Sequence, residues 1–580
     1  MTPFTPPIAE QRFLLDHVAG LPRLAASNLY AAATPDLVDA VLDGAGAFAA
    51  AKFAPLNQPG DRIGARWTPD GVTMPPGFAE AYRAYVEGGW GTILGPEEHG
   101  GQGMPFALAT AVLEDLGTAN MAFSLIMMLT PGAVEALMAH GTAEQQATWL
   151  PNLVSGRWNG TMCLTEAQAG SDVGALRTRA VRQPDGSYRI KGQKIFITFG
   201  EHDLTDNIVH LVLARTPDAP AGTRGISLFL VPRFRLDADG NPGAPNDVHA
   251  VSIEHKMGIH ASPTCVMAFG DEDDCIGELV GAENGGMRAM FTMMNNARLN
   301  VGLQGVSIAE RARQQAAAFA RDRVQSARAG AATRDAVAIF EHPDVRRMLL
   351  RMAALTQGAR ALVYYAAGLV DSAHLGDEGA QARLDLLTPL AKAYGTDVGV
   401  EVASLAVQVH GGTGFIEETG AAQHYRDARI APIYEGTNGI QAADLVGRKL
   451  GLDGGAALAT LLAEMRSDSG DAGLVALTDE IEAVVAELRS ADIAERLAGS
   501  YPLLTMLSVA VCGWLMERQA GIAAGLSTEG KGDPGFLALK NAAARYYLAA
   551  IVPEATALAA GVRAGAAAVV AIEPALLAAG

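Results

Sequence analysis

Arg-Thr-Arg-Ala-Val-Arg-Gln-Pro-Asp-Gly-Ser-Tyr-Arg-Ile-Lys-Gly-Gln-Lys-Ile-Phe-Ile-Thr, Arg177 to Thr198, is the stretch on which the architecture turns. Pro184-Asp185-Gly186 is a turn signal between two extended runs, and Lys194 to Thr198 is rich in β-branched and aromatic residues. Ile208 to Ala214 and Gly225 to Pro232 continue the pattern, so residues 159–281 read as a β domain. On the N-terminal side, Asp36 to Phe53, Phe78 to Val86 and Pro105 to Leu116 place apolar residues at helical spacing, giving a helical domain over 1–158 with a leading extension. On the other side helical periodicity returns at Gly286 and defines a third domain over 282–450. An alanine-rich helical region over 451–580 reads as a separate bundle. The expected fold is α+β and multidomain: helical N-terminal domain, central β-barrel-like domain, helical bundle, extra C-terminal helical domain. Strands and helices do not alternate, which excludes a doubly wound α/β sheet.

The 580 residues are 49% hydrophobic and 18% charged, a globular composition. A net charge of −19 argues against a nucleic-acid partner, and the segment after residue 451 is acidic on balance too. Cys163, Cys265, Cys275 and Cys512 form no CxxC pair, so neither a metal site nor a disulfide framework is suggested. Cysteine usage and the absence of a secretory pattern in Met1 to Phe13 lead to the expectation of a cytoplasmic protein. Leu497 to Met516 carries no charge over a length that could span a bilayer. Ser500-Tyr501-Pro502 looks like a helix start, and the polar residues beyond it favour a buried bundle helix.

Chemistry concentrates in three places. Tyr425 to Gln441 contains Glu435, which follows an apolar run and precedes Gly436. Apolar neighbours desolvate a carboxylate, and glycine lets a ligand approach the backbone, so Glu435 could take a proton next to a carbonyl; the other reading is a surface Glu in a turn. Cys163 to Asp172 runs from a strand into small and hydroxyl residues, where backbone N–H groups, Thr165 and Ser171 could bond a polar ring edge or a phosphate. Phe196 and Thr198 share a face if the strand alternates regularly, offering a surface for a flat heteroaromatic group. Both segments could equally be β-domain core. Gly95 to Gly103 reads as an interhelical turn. Gly530 to Gly535 matches G-x-G-x-x-G but lacks a preceding strand and holds Pro534, so it is a solvated turn.

Taken together, these segments resemble the acyl-CoA dehydrogenase family: Leu164-Thr-Glu through Gly170-Ser171-Asp172, Gly192 to Thr198, Gln408-Val-His-Gly411-Gly412-Thr-Gly414, Tyr425-Arg-Asp-Ala-Arg and Tyr434-Glu-Gly-Thr437. They fall in the family's order over about residues 40 to 450. His342 to Arg347, Asn438 to Gln441 and the C-terminal region resemble the long branch that includes 3-methylmercaptopropionyl-CoA dehydrogenases. The resemblance implies an FAD-dependent oxidoreductase that converts an acyl-CoA thioester to the 2-enoyl-CoA, with Glu435 as base and flavin N5 as hydride acceptor. It implies that Met162, Cys163, Leu164, Thr165, Gly170 and Ser171 line the flavin, and that Phe196, Ile197 and Thr198 flank its ring. Arg323, Gln408, Gly411 and Gly412 would reach FAD across a dimer interface, with Thr437 and Gly439 over the adenine side. Ser171, Asn295, Arg298 and Gly436 would meet the substrate. Ala167 stands where relatives usually carry proline, and Ala297 where a minority carry the base. The expected partners are an acyl-CoA, with 3-methylthiopropanoyl-CoA as a candidate, an electron-transfer flavoprotein and a second copy of the chain. The alternatives are a medium- to long-chain dehydrogenase of fatty-acid β-oxidation, an acyl-CoA oxidase, or a nucleic-acid-binding flavoprotein.

Overall fold

The computed structural model describes residues 3–578, apart from the side chains of 295 and 296. The chain forms two compact units. One comprises Ala32–Pro105 and Ala111–Ala297; the other comprises the residues up to Ala31, Phe106–Thr110 and everything from Arg298 onward.

In the first unit an eight-stranded sheet follows helices. Arg179–Arg182 and Tyr188–Thr198 pair antiparallel around the Pro184-Asp185-Gly186 turn, where Gly186 has φ +91°. Tyr188–Thr198 also pairs with Thr264–Phe269 and Ile276–Val280, and Ile276–Val280 leads through Ser227–Pro232 and Asn207–Ala214 to Trp158–Cys163. Trp158–Cys163 and Asn207–Ala214 run parallel. Helix Met121–His140 lies against Trp158–Cys163; a Cβ on Gly160 would come within 2.6 Å of the Ala133 side chain, so the residue's smallness sets the helix-to-sheet distance.

The regular alternation expected of Tyr188–Thr198 breaks near its end. Lys194 pairs with Met267 and Ile197 with Cys265, so Ile195 and Phe196 together oppose one residue. This is a β-bulge, and Phe196 takes φ +60° within it. The inward set therefore shifts phase: Lys194 and Ile197 are buried, whereas Phe196 is 57% exposed. The face of Phe196 and Thr198 is set by the bulge and not by counting in twos.

The second unit is helical. Gly286–Asp322 (from Arg298), Pro343–His374 and Glu378–His410 form its core. Gly302 and Gly305 meet Gly395 and Gly399 so closely that a Cβ on Gly305 would lie 2.0 Å from the Gly395 carbonyl oxygen. That stripe brings the helices bearing Arg298 and Lys392 within backbone contact. The helices after residue 451 pack into this same body. Tyr394 and Tyr547 share a buried hydroxyl–hydroxyl bond of 2.8 Å, and Arg351 bridges Glu401 and Glu554. The uncharged segment seen in the sequence lies in helix Ser500–Thr528, whose most apolar window is 78% buried inside the protein, as is that of Met121–His140.

Candidate active site

Glu435 and Gly436 lie between helices Ala421–Ala428 and Asn438–Gly447, and both are left-handed, with φ +55° and +84°. A non-glycine residue there carries strain that its surroundings must hold. They do so from both sides. The Tyr434 hydroxyl donates to Gln304 Oε1, the Asn438 N–H to the Pro432 carbonyl at 3.0 Å, and Gln441 Nε2 to the Gly436 carbonyl at 3.3 Å. Thr437 then caps the next helix, accepting from the Ile440 N–H at 3.2 Å. A Cβ on Gly436 would sit 2.8 Å from Gln441 Nε2. Gly436→Ala is accordingly expected to destabilise the protein by about 1–2 kcal/mol and to lower turnover, checked by denaturant unfolding and initial rates.

Glu435 retains a partly exposed edge for a ligand. Desolvation pushes its carboxyl above the ordinary value, and the charges of Arg298 and Lys392 pull against that rise. Burial also lowers both cations: Arg298 is pulled down, and Lys392 falls to about 8 despite the opposing charges of Glu435 and Asp397. Nε of Arg298 is buried with no hydrogen-bond partner among the described residues, a donor held ready for a ligand. A carboxylate with a raised proton affinity, flanked by desolvated cations, suits proton abstraction near neutral pH. The Asn295 side chain lies outside the described residues.

In the other unit, the loop after Trp158–Cys163 hangs on one buried carboxylate. Glu166 Oε1 accepts from the Thr178 N–H, the Thr178 hydroxyl and Lys194 Nζ at 3.0, 2.6 and 2.8 Å. Its Oε2 accepts from the Arg177 N–H and Gln168 Nε2 at 2.7 and 2.6 Å. Lys194 Nζ also donates to the Leu164 carbonyl, and the Ile195 N–H to that of Thr165. Burial alone would raise the Glu166 carboxyl, but the Lys194 charge and these bonds outweigh it and hold it at about 2. Thus clamped, the loop presents Gly170 and Ser171 to solvent, with Thr165 half-buried; a Cβ at Gly170 would meet nothing. The sequence reading named neither Glu166 nor Lys194 as a site residue.

Not every expected contact can be a side chain. Cys163 and Ile197 are packed in the core, Cys163 with its thiol pushed up to about 12 by burial, and Met162 points into the opposite core. These three can offer a ligand only their backbone groups, or at Met162 a sliver of side chain. Phe196, Thr198, Thr165 and Ser171 keep exposed atoms.

Four family models match in chain order: the N-terminal, middle and C-terminal domains of acyl-CoA dehydrogenase over residues 38–157, 161–271 and 284–450, and an "acetyl-CoA dehydrogenase C-terminal like" segment over 455–573. The 3-methylmercaptopropionyl-CoA dehydrogenase of Ruegeria pomeroyi is 46% identical over 572 residues, 95% of this chain and 96% of that one. The chain belongs to the acyl-CoA dehydrogenase family. Family members are FAD-dependent enzymes, and so is this acyl-CoA dehydrogenase. A solved acyl-CoA dehydrogenase of Bacillus anthracis complexed with FAD shares the fold at TM-score 0.68 and 22% identity, covering 87% of this chain and 84% of that one. A structure described under the electron transferring flavoprotein of Acidaminococcus fermentans matches at TM-score 0.59 and 28% identity, covering 71% of this chain and 97% of that one.

The residues present fit FAD. An aromatic ring held out of the core at Phe196, a clamped loop with open backbone at Gly170 and hydroxyls at Thr165 and Ser171 suit a flat polar ring and its edge. Arg323, Gln408, Gly411 and Gly412 form a second set, all exposed at the far ends of long helices. Arg323 follows Arg298 by 25 residues of Gly286–Asp322, about 37 Å of helix. It cannot serve the place where Arg298 meets Glu435. Thr437 is half-buried by its capping role, and Gly439 is exposed on the first turn of its helix.

Proposed function

We propose that this enzyme oxidises 3-methylthiopropanoyl-CoA to the corresponding 2-enoyl-CoA; what carries the reading is 46% identity to the Ruegeria pomeroyi protein of that activity along nearly the whole of both chains. Glu435 takes an α-proton onto its carboxylate. Its backbone N–H donates to the thioester oxygen as negative charge develops there, a contribution of about 3 kcal/mol for one such donor. Gly436 leaves room for the thioester to come against the backbone, and Arg298 supplies a desolvated cation to the substrate. Leu164 to Thr165, Gly170 to Ser171 and Phe196 to Thr198 would hold FAD, which when bound accepts the hydrogen and electron pair leaving Cβ. The α-proton on Glu435 and the pair on the cofactor balance the loss of two hydrogens.

Electron-transfer flavoprotein is the proposed oxidant of the reduced enzyme, in keeping with the likeness to the Acidaminococcus fermentans structure. A homodimer in the cytoplasm completes the reading: the 37 Å offset of Arg323 suits a residue that serves FAD in a second copy. Light scattering should then report a mass near twice the 60.3 kDa chain. Anaerobic bleaching of the bound flavin against an acyl-CoA panel tests the substrate. The expected result is fastest bleaching with 3-methylthiopropanoyl-CoA. Faster reaction with butanoyl- or octanoyl-CoA would reassign the enzyme to straight chains.

A further inference from the structure

We propose that Lys392 is a positioning residue for Glu435, and that Tyr501, in the first turn of helix Ser500–Thr528, acts on the base through Asp397, Asn438 and Lys392. This rests on Glu435 being the base.

From Tyr501 to Lys392 the link is an unbroken chain of hydrogen bonds, and from Lys392 to Glu435 it is the through-space attraction of opposite charges. The Tyr501 hydroxyl donates to Asp397 Oδ2 at 2.7 Å, Asn438 Nδ2 donates to Asp397 Oδ1 at 2.9 Å, and Lys392 Nζ donates to Asn438 Oδ1 at 2.8 Å. Its polarity is forced. An ammonium can only donate and a carboxylate only accept, so the Asn438 amide has one orientation that satisfies both neighbours. Asn438 is further tied to the Ala393 carbonyl at 3.1 Å and the Thr396 hydroxyl at 3.0 Å. Lys392 and Asn438 are buried, at 0% and 3% exposure, so the charge on Lys392 is desolvated and held in one place. Asn438 lies three residues after the base, in the helix that Thr437 caps. The amide that holds Lys392 and the base therefore stand on one short backbone segment.

The electrostatics follow the same route. The charged groups facing Glu435 are Arg298 and Lys392, with the Tyr434 hydroxyl beside it. Lys392 faces Glu435, Asp397 and Arg298; Asp397 faces Lys392, Arg429 and Tyr501; Arg298 faces Asp444, Glu435 and Arg448. Asp397 is thus a counter-charge of Lys392 second to Glu435 itself, and Lys392 is one of two cations that favour the ionised base. Tyr501 and Asn438 favour ionised Asp397. Losing the Tyr501 hydroxyl lets Asp397 hold its proton more readily, which weakens the hold on the Lys392 charge and makes Glu435 easier to protonate. The extension beyond residue 451 is in this way part of the base's environment.

The test is the pH dependence of kcat/KM on the full-length FAD-loaded enzyme, with 3-methylthiopropanoyl-CoA and a dye acceptor, for Lys392→Met, Lys392→Arg, Tyr501→Phe and the Met/Phe double variant. The acid limb reports the base of the free enzyme. Lys392→Met should move that limb up by about one pH unit, Lys392→Arg should return most of the shift, and Tyr501→Phe should give a smaller upward shift. In the Lys392→Met background Tyr501→Phe should shift nothing further. A merely structural role would lower rate or melting temperature alike at every pH. An unmoved limb in Lys392→Met, or a Tyr501→Phe shift that survives in the double variant, overturns the inference. Should Lys392→Met not fold, an unmoved limb in Tyr501→Phe overturns it alone. Turnover by Glu435→Gln would instead remove the base assignment beneath it, so the two failures are distinguishable.

Discussion

Glu435→Gln should bind FAD as the parent does and lose about 10³-fold in kcat. The amide keeps the size and most of the packing of the carboxyl, so the left-handed turn through Glu435 and Gly436 and the cap at Thr437 survive the change. It removes the carboxylate proposed to accept the α-proton. Retention of FAD is expected because the clamped loop around Glu166 and the exposed Phe196 belong to the other compact unit. The desolvation that raises the Glu435 carboxyl disappears with its charge, as does the pull of Arg298 and Lys392. The variant should then be no less stable than the parent, and Lys392 should release its proton more readily. Absorbance of the bound flavin, single-turnover bleaching and a thermal melt separate these effects. Bleaching at the parental rate would end the assignment of Glu435 as base.

How far the sequence could be read depends on the range over which each signal acts. Local signals read well. The Pro184-Asp185-Gly186 turn became the hairpin of Arg179–Arg182 and Tyr188–Thr198, and Ser500-Tyr501-Pro502 became the start of a helix at Ser500. Glu435 stood out because a glycine followed it, and the positive φ at both residues is the physical reason that glycine is there. Signals that depend on distant partners were silent. Lys392 sits mid-helix among alanines with no local signal of its role; it is fully buried and donates to Asn438, 46 residues on. Glu166 lay inside a quoted motif, yet its role requires Lys194, 28 residues on, to be on the inward face. Alternation from Tyr188 and Ile190 carries Lys194 to that face, but the bulge just beyond it, which turns Ile197 inward and Phe196 out, comes from pairing with Thr264–Phe269 and is encoded by no period in Tyr188–Thr198. The helices after residue 451 read as a separate bundle because their composition changes. Tyr394–Tyr547 and Asp397–Tyr501 are contacts that this C-terminal region makes with the helices before it, which composition alone does not reveal.

Lys194→Met should cost about 3–5 kcal/mol of stability and most of the FAD affinity. Lys194 is fully buried, and Glu166 is 5% exposed, so the substitution leaves a desolvated carboxylate without its counter-charge. Methionine fills the space but cannot donate to Glu166 or to the Leu164 carbonyl, so the start of the loop after Trp158–Cys163 loses its anchor. The remaining donors, the Arg177 and Thr178 N–H groups, the Thr178 hydroxyl and Gln168 Nε2, are all neutral and do not replace the lost positive charge. The pH dependence distinguishes this account from a packing defect. In the parent, Glu166 is held at about 2 against an ordinary value of 4.5, so its contribution is present above about 4.5 and fades as pH falls toward 2. In Lys194→Met the carboxyl is buried without compensation and its proton affinity rises. The variant should then recover stability relative to the parent on acidification from pH 7 to 5, where neutral Glu166 no longer needs a cation. The charge-neutral pair Lys194→Met with Glu166→Gln should be more stable at pH 7 than Lys194→Met alone. Urea unfolding at pH 5 and pH 7, with flavin release followed by fluorescence, measures both. A loss equal at the two pH values, unrelieved by Glu166→Gln, would show that the side-chain volume of Lys194 matters and its charge does not.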